Sequence, residues 1–475
     1  MTPQATPADP AVFTSRNPAD PSDIVIEFPG CGEEAVIQAA QRARQAQAEW
    51  LGAGVAARSE ALCKAADAIE RAADEMTGLV IREVGKPLAE ARAELAHTVS
   101  IWRYYSQVLH EPSGALHEPA AGPGILLTRR RPLGTAGLIT PWNFPLAIPS
   151  SKAAPALAAG NAVILKPAPE ATACALHLAE ALRDVLPDGL LRVVPGGPRV
   201  GEALVHLADV VSFTGSTAVG KAVVRTATAC GTPVQAEMGG QNAAIVLPDA
   251  DIPQAAAHIA AAIAGYAGQK YTATSQVIAV GSAREPLRDA LAERLGAMPA
   301  ADPGSASTIC GPVISLAARH RVAEMRMSAL AAGARLLAGG ADGHTAPRSG
   351  WYVNPTLLEA VPDGHELLQD VVFGPIAVLQ EANGLDQAVH LANAGRQGLV
   401  TSLHTTDLES ALYGSDHLET SVVGVNAPTT GVDYFPLSLG GREGFGHGPD
   451  EEGRAALDFY TSQQTISLLP GGSER

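Results

Sequence analysis

From Gly134 onwards, the chain alternates short apolar runs with longer segments that have helical spacing. Runs of this length suit strands buried on both faces, and parallel strands need crossover segments to join them. The predicted strands are 136–140, 162–165, 190–194 and 210–213, and the predicted helices are 146–157, 171–185 and 200–206. The alternation predicts a doubly wound parallel sheet of the dinucleotide-binding type.

A second series of the same kind runs from Gly239 to about residue 426. A chain of 475 residues has room for two or three domains, and no linker or change of composition separates the two series. The sequence therefore predicts two α/β domains on one continuous chain. The predicted strands here are 242–246, 276–279, 334–337, 376–380 and 422–425, and the predicted helices include 252–265, 284–295 and 317–332.

The segments outside these two series predict helices and a β arm. Residues 33–49, 56–73 and 98–108 have helical spacing, whereas 111–124 is broken by proline and glycine before an apolar strand at 125–129. Residues 456–469 carry apolar β-type residues and are expected to pair with that strand. We predict a dinucleotide-binding domain at 1–112 and 132–238, a catalytic domain at 239–440, and an arm at 113–131 and 456–475.

Composition excludes several classes of function. The net charge of −16 argues against a nucleic-acid surface, which requires a basic stripe. No signal peptide and no apolar stretch of membrane-spanning length is visible, so we expect no membrane partner. The five cysteines are scattered without metal-type spacing, which suits a reducing cytoplasm, and we expect no metal. His110-Glu111 and His117-Glu118 lie beside prolines, where a surface turn is a better interpretation than metal ligation.

A glycine turn follows the strand predicted at 210–213. Gly215 and Ser216 open the following helix, and Val219 lies in its first turn. Free N–H groups at a helix N-terminus favour a pyrophosphate. Alone this motif is weak, because a structural βα turn is equally compatible with it.

Further motifs resemble the aldehyde dehydrogenase superfamily over nearly the whole chain. They are Pro141-Trp142-Asn143-Phe144-Pro145, Glu237-Met238-Gly239-Gly240 and the loop Gly268-Gln269-Lys270-Tyr271-Thr272-Ala273. The tail around residues 435–446 and 452–461 is most similar to the ketoglutarate-semialdehyde dehydrogenase branch, with substitutions.

The resemblance implies roles for several residues. Glu237 matches the general base, Asn143 the amide that stabilises an oxyanion, and Lys152 a lysine near the catalytic carboxylate. It also implies a homodimer or homotetramer built through the arm. The residues implied to bind NAD or NADP are Thr140, Pro141, Trp142, Lys166, Pro169, Gly215, Ser216, Val219 and Phe373.

Residue 271 departs from the family pattern. The family loop, written G-Q-x-C-x-A, carries a cysteine nucleophile, and tyrosine stands at that position here. A phenol with a pKa near ~10 is a poor substitute for a thiolate. Two alternatives remain: Tyr271 donates or accepts a proton at a carbonyl or imine, or its ring fills and closes the tunnel.

Two further positions also bear on the cofactor. In the family motif E-x-F-G-P, the glutamate holds the nicotinamide ribose, and Val371 stands at its position here. The neighbouring Asp370 would face away from the ribose if this segment is a strand, because successive side chains of a strand point to opposite faces. Pro169 stands where NAD-preferring members carry a ribose-binding glutamate, which favours NADP, although Glu170 partly compensates. Two independent losses point to natural divergence.

Three functions follow from these departures. The first is an NAD(P)-dependent oxidoreductase that acts on an aldehyde, an imine or a related carbonyl-derived substrate without a thiohemiacetal. The second is an inactive nucleotide-binding or scaffold homologue. The third is an ordinary dehydrogenase with an engineered Cys-to-Tyr change.

Overall fold

Two parallel sheets, each covered by helices on both faces, organise the chain. We describe a computed structural model of residues 12–111, 113–340, 349–395, 398–431, 437, 440 and 446–469. Fully buried strands of β-branched and small residues require cover on both faces, and the helices provide it. The predicted α/β fold with two parallel sheets is confirmed.

The N-terminal part precedes the first sheet. Its elements are β1 (Val12–Arg16), β2 (Ile24–Pro29), α1 (Glu33–Gly52), α2 (Gly54–Arg71), α3 (Ala73–Val84), α4 (Leu88–Val108), β3 (Leu116–His117) and β4 (Ile125–Pro132). β1 and β2 form an antiparallel hairpin that the sequence analysis did not predict.

The first sheet has the order β17-β9-β8-β5-β6-β7, and only β17 (Gly446–His447) runs antiparallel within the described residues. Its other elements are β5 (Thr135–Thr140), α5 (Ala147–Ala158), β6 (Ala162–Pro167), α6 (Thr172–Ala181), β7 (Leu191–Val193), α7 (Pro198–Leu207), β8 (Val210–Thr214), α8 (Thr217–Cys230) and β9 (Val234–Glu237). The sequence analysis did not assign residues 446–447 to this sheet.

The second sheet has the order β12-β13-β14-β11-β10-β15-β16, in which β12 pairs antiparallel. Two of its strands, β13 and β15, were not predicted, because short runs with several polar residues give no clear strand pattern. Its elements are β10 (Asn242–Val246), α9 (Ile252–Ala264), β11 (Thr274–Val280), α10 (Arg284–Gly296), α11 (Leu316–Ala331), β12 (Arg335–Ala338), β13 (Thr356–Glu359), β14 (Ile376–Ala382), α12 (Leu385–Asn393), β15 (Val400–His404), α13 (Leu408–His417) and β16 (Val422–Val425).

The arm is a three-stranded sheet in the order β18-β4-β3. β18 (Thr461–Leu468) pairs antiparallel with β4 along its whole length, as the sequence analysis expected of the C-terminal segment. The strand prediction for 456–460 is wrong, because α14 (Gly453–Phe459) occupies it and buries Ala456 and Phe459 at helical spacing. No described helix is long and apolar enough to cross a membrane.

Buried carboxylates from the N-terminal helices fix two helix starts in the first half. Glu83 accepts hydrogen bonds from the backbone N–H groups of Ala173 and Cys174, and Glu94 accepts them from Leu146 and Ala147. Helix N-termini leave such donors unsatisfied, so each carboxylate supplies a missing acceptor. Burial raises the pKa of Glu83. Glu94 therefore fixes the start of α5, directly after the Pro141–Pro145 turn.

Candidate active site

A cavity of about 980 Å³ lies between the segments that precede β10, β11 and β14 of the second sheet and the carboxyl edge of the first sheet. Ligands of open α/β sheets bind at this edge, and the volume is at the upper end of the range for ligand sites. Most of the lining residues come from three regions: the turns after β5, β8 and β9; the segments around 271, 314–321 and 369–373 in the second half; and the pair before α14.

The turn between β8 and α8 borders the cavity with its backbone. Gly215 and Ser216 line it, and Ser216 is the extended residue that precedes the helix. A Cβ on Gly215 would lie 2.7 Å from the Phe213 ring, so the close approach of this turn requires glycine. The first backbone N–H groups of α8 thus face a space that suits a pyrophosphate.

The predicted cofactor residues divide into two groups. Pro141, Trp142, Gly215, Ser216 and Phe373 line the cavity. The described lining residues do not include the other four predicted cofactor residues, which are Thr140, Lys166, Pro169 and Val219.

Each residue in the second group has another environment. Thr140 is buried, and Lys166 is nearly buried, with its Nζ donating to the Pro167 carbonyl at 2.8 Å. Val219 is 50% exposed on the outer face of α8. Beside Pro169, the exposed Glu170 lines the cavity, which places there the negative charge that the sequence analysis weighed against a preference for NADP.

Glu237 ends β9 and faces the cavity, with its Oε2 screened from solvent. Its backbone carbonyl accepts from the Gly215 N–H at 3.0 Å, which ties the general-base candidate to the phosphate turn. The next residues, Met238 and Gly239, also line the cavity. The position suits a base that works at the cleft between the two halves.

Lys152 forms a buried polar network at the side of the cavity. Its Nζ contacts the carboxylate of Glu451 and the hydroxyl of Ser212, the latter at 2.7 Å. Glu451 also accepts from Thr214 at 3.4 Å and lines the cavity with Glu452. The sequence analysis missed both glutamates, although the acidic run that contains them was a visible signal. Of the substituted tail motif, residues 435–436, 438–439 and 441–445 lie outside the described part of the chain.

Asn143 joins the two halves of the site. Its side-chain amide donates to the backbone carbonyl of Gln269 at 2.9 Å, and the residue is almost fully buried at the cavity wall. An amide has two N–H donors, so one is available for a substrate oxygen. The amide polarises such an oxygen without changing its own charge.

Tyr271 lines the same cavity as Asn143 and Glu237. Its ring is half-buried, packs against Leu399 and Val400, and meets the Phe144 ring edge-on with 6.1 Å between centroids. The neighbouring Lys270 points to Glu90, with Nζ and Oε2 2.8 Å apart. Lys270 therefore pairs with a carboxylate on a helix of the first half.

The loop before Tyr271 has an unusual backbone. Tyr266, Ala267 and Gly268 all have φ between 51° and 65°, a left-handed turn that costs non-glycine residues about 1–3 kcal/mol each. The surroundings hold it: the Tyr266 hydroxyl donates to the Val84 carbonyl at 3.0 Å, and the buried Lys86 Nζ lies over the Tyr266 ring. Backbone strain of this kind is typical of functional loops.

Val371 lines the cavity in the segment before Phe373 and packs near Gly239. Asp370 lines it as well, so the expectation that Asp370 faces away is wrong, because residues 369–375 form no strand. Arg321 of α11 reaches the same region and donates through Nε to the Val372 carbonyl at 2.9 Å. The sequence analysis did not single out Arg321.

All five cysteines are described, and none of them lines the cavity. Cys174 and Cys310 are buried, and burial raises the pKa of Cys310 to about 12. A thiol with such a pKa is protonated and unreactive at neutral pH. Among the described residues, no group of three metal-ligating side chains is present either. The ionisable groups among the described lining residues are carboxylates, Tyr271, Lys221 and Arg321.

Comparison with known proteins agrees with this geometry. The aldehyde dehydrogenase family model matches residues 6–466. The chain belongs to the aldehyde dehydrogenase family.

Particular relatives are similar over nearly their whole length. The chain is 34% identical to alpha-ketoglutaric semialdehyde dehydrogenase of Bacillus subtilis, covering 96% of this chain and 94% of that one. It is 36% identical to alpha-ketoglutarate semialdehyde dehydrogenase of Haloferax volcanii, covering 95% and 94%. Among solved structures, an NAD-dependent aldehyde dehydrogenase from Sinorhizobium meliloti has a TM-score of 0.92 at 29% identity, covering 99% of this chain and 94% of that one.

Proposed function

We propose that the chain is an NAD(P)-dependent oxidoreductase that acts on an aldehyde, an imine or a related carbonyl-derived substrate without forming a thiohemiacetal. The observation that carries the proposal is the position of Tyr271, which lines the same cavity as Asn143, Glu237 and the Gly215–Ser216 turn. A proton donor, an amide, a carboxylate and a phosphate-type turn in one cleft are the parts that hydride transfer requires.

The cavity fits a dinucleotide. The Gly215–Ser216 turn would hold the pyrophosphate, and the walls formed by Trp142 and Phe373 would border the nicotinamide end. When bound, NAD(P) accepts or supplies the hydride. Pro169 favours NADP, whereas the carboxylate of Glu170 opposes a 2′-phosphate. We propose that NADP is preferred by a modest factor.

The chain's own groups would orient the substrate and move the proton. The free N–H of Asn143 would bind the substrate oxygen or nitrogen, and the hydroxyl of Tyr271 would donate its proton there as hydride reaches the carbon. An aldehyde gains one hydride and one proton to become an alcohol, and an imine becomes an amine in the same way. In the reverse direction Tyr271 or Glu237 takes the proton.

The relatives narrow the substrate class. The relatives from B. subtilis and H. volcanii are named for alpha-ketoglutarate semialdehyde, and another relative, 31% identical, is a succinate-semialdehyde dehydrogenase from Paenarthrobacter nicotinovorans. We propose that small aldehydes of this kind, and the cyclic imines that amino-bearing aldehydes form, are the first substrates to test.

The test has two stages. NADPH and NADH binding are measured by nicotinamide fluorescence, and turnover is then followed with panels of aldehydes and cyclic imines. We expect binding of both nucleotides and turnover of at least one substrate, and we expect turnover to be lost in Tyr271→Phe. Full activity in Tyr271→Phe rules out phenol chemistry.

A second candidate, a nucleotide-binding scaffold without catalysis, is favoured by two observations. The ring of Tyr271 packs against Leu399 and Val400, and Val371 offers no carboxylate to a nicotinamide ribose. Nucleotide binding without turnover of any substrate in the panels would support this candidate.

Assembly and location are also proposals. The arm carries exposed apolar side chains on both strands that pair along its length, among them Ile125 and Leu468, which suit burial against another copy. We propose a homodimer or homotetramer formed through the arm in the cytoplasm. Light scattering on the intact chain would give the mass, and a monomer would contradict the proposal.

A further inference from the structure

Two carboxylates one helical turn apart on α4 point into the region behind the candidate active site. Glu94 contacts the buried Lys86 and accepts from the first backbone N–H groups of α5. Glu90 pairs with Lys270, with Oε2 and Nζ 2.8 Å apart. Residues at positions i and i+4 share one helix face, so one face of α4 makes both contacts.

The Glu90–Lys270 pair joins the two halves of the molecule next to Tyr271. Glu90 belongs to α4, which packs on α5 in the first half, whereas Lys270 lies in the loop that leads into β11 of the second sheet. The side chains are only 27% and 13% exposed, so solvent screens the pair incompletely.

A glycine beside this pair leaves space for the two charged side chains. A Cβ on Gly265 would lie 2.9 Å from Glu90 Oε1 and 3.2 Å from Lys270 Nζ, so a side chain at this position would collide with the ion pair. Gly265 is followed by the left-handed residues Tyr266–Gly268. The strained turn at Tyr266–Gly268 thus begins directly after Gly265, the residue that lies beside the Glu90–Lys270 pair.

Asn143 is tied to the same loop from the other side. Its amide donates to the Gln269 carbonyl, one residue before Lys270. Because Glu94 fixes the start of α5 and Glu90 fixes Lys270, α4 is the common support for Asn143 and Tyr271.

We propose that Glu90 is a positioning residue: through its ion pair with Lys270, it holds the Tyr271 ring at a fixed place relative to Asn143. Glu90 is not among the described residues that line the cavity, so it acts only through Lys270. The expected effect of Glu90 on turnover rests on the proposed function, because it requires Tyr271 to exchange a proton with the substrate. The expected effect of Glu90 on the position of the Tyr271 ring does not depend on the proposed function.

The test compares variants that break the pair with one that keeps it. Glu90→Gln and Lys270→Met remove the attraction, Lys270→Arg retains the charge, and Glu60→Gln breaks the exposed Glu60–Lys64 pair of α2 as a matched control. The first readout is the NMR signal of Tyr271 in protein labelled with ¹³C at tyrosine Cζ, assigned by its loss in Tyr271→Phe. The second is the separate measurement of kcat, KM and the NADPH dissociation constant.

We expect Glu90→Gln and Lys270→Met to shift or broaden the Tyr271 signal and to lower kcat about tenfold, because small misplacements of a reacting group are costly. The NADPH dissociation constant and KM should stay within about twofold, and Lys270→Arg and Glu60→Gln should behave like the parent. A merely stabilising ion pair would lower the denaturation midpoint without moving the signal or kcat.

An unchanged Tyr271 signal in both Glu90→Gln and Lys270→Met overturns the positioning role, whatever the activity. If the parent turns over no substrate, the proposed function fails, and the NMR comparison still decides whether Glu90 places the ring. If either variant fails to fold, the other carries the test, because each breaks the same pair from a different half.

Discussion

We propose that the two ends of the cavity have diverged to different extents. At the phosphate end, Gly215 and Ser216 keep a glycine turn before a helix, and the close approach to Phe213 leaves room for no side chain. At the reaction end, Tyr271 and Val371 stand at the positions for which the resemblance implies a thiol and a carboxylate. Both ends border one cavity, so they can be altered and measured separately in a single protein.

The difference teaches where a scaffold tolerates change. The phosphate end depends on backbone geometry, which a side-chain substitution cannot replace. The reaction end depends on side chains, while the loop that carries them is held from behind by contacts such as Tyr266 to Val84. Residue 271 can therefore change its chemistry without removing the supports of the loop.

The largest expected effect comes from reversing the divergence of the reaction end. We expect the double variant Tyr271→Cys with Val371→Glu to gain NAD(P)-dependent aldehyde oxidation at least about 100-fold above the parent, because a thiolate can form a covalent intermediate and a carboxylate can bind ribose hydroxyls. The assay is nicotinamide reduction at 340 nm with semialdehydes. No gain, with nucleotide binding intact, would mean that the reaction end has lost more than these two groups.

Acid tests the second half of the molecule through His404, which is buried and lies beside the half-buried His258. Burial, together with the His258 ring whose centroid lies 5.7 Å away, lowers the pKa of His404 to about 4. An unfolded histidine titrates near ~6.5, so the unfolded state binds more protons between these values. The stability contribution is complete above about pH 6.5 and is lost, up to about 3 kcal/mol, as the pH falls to about 4.

Urea unfolding at pH 7, 5.5 and 4.5 measures this loss. In His404→Gln the part of the pH dependence that falls between pH 6.5 and 4 should shrink, because the titrating group is gone. An identical slope in the variant would show that other groups cause the acid sensitivity.

A smaller effect tests the phosphate end of the cavity. Gly215→Ala should weaken NADPH binding by about 10- to 100-fold, because its Cβ would overlap the Phe213 ring and displace the turn. Gly78→Ala in α3 is the control, since its Cβ would meet nothing within 4 Å. Fluorescence titration measures both, and equal affinities in the two variants would argue that the nucleotide does not use this turn.

The smallest effect concerns the choice between the two nucleotides. Removing the charge in Glu170→Gln should improve NADPH binding relative to NADH by about three- to tenfold, because an exposed carboxylate is partly screened. The ratio of the two dissociation constants, measured at low salt, checks this. A ratio equal to that of the parent would place the 2′-phosphate away from Glu170.

The sequence was sufficient to predict the elements with strong periodicity. The strand at 242–246 has the predicted bounds, and the helix predicted at 252–265 ends one residue earlier, at Ala264. Short strands such as β13 carry too little pattern, and the helix at 453–459 was missed because it leads directly into the β-type residues of β18. The limits of the predicted domains remain predictions.

Site residues that come directly after strands were easier to anticipate than those placed by tertiary contacts. Asn143 and Glu237 follow this rule, and both border the cavity. The sequence did not reveal that Lys152 pairs with Glu451, because these residues lie far apart in the chain. It also did not reveal that Lys270 pairs with Glu90, because these residues belong to different halves of the molecule. Asp370 was misjudged because its segment is irregular.

The central claim is that this chain holds a nicotinamide nucleotide in the family manner while Tyr271 supplies the proton in place of thiol chemistry. The most direct measurement is a single-turnover reaction of the parent and Tyr271→Phe with NADPH and a reducible aldehyde or cyclic imine, with NADPH affinity measured in parallel. The account predicts equal affinities within about twofold and a rate about 10²- to 10⁴-fold lower in Tyr271→Phe. Equal rates in the two proteins, or a covalent adduct on a cysteine, would contradict it.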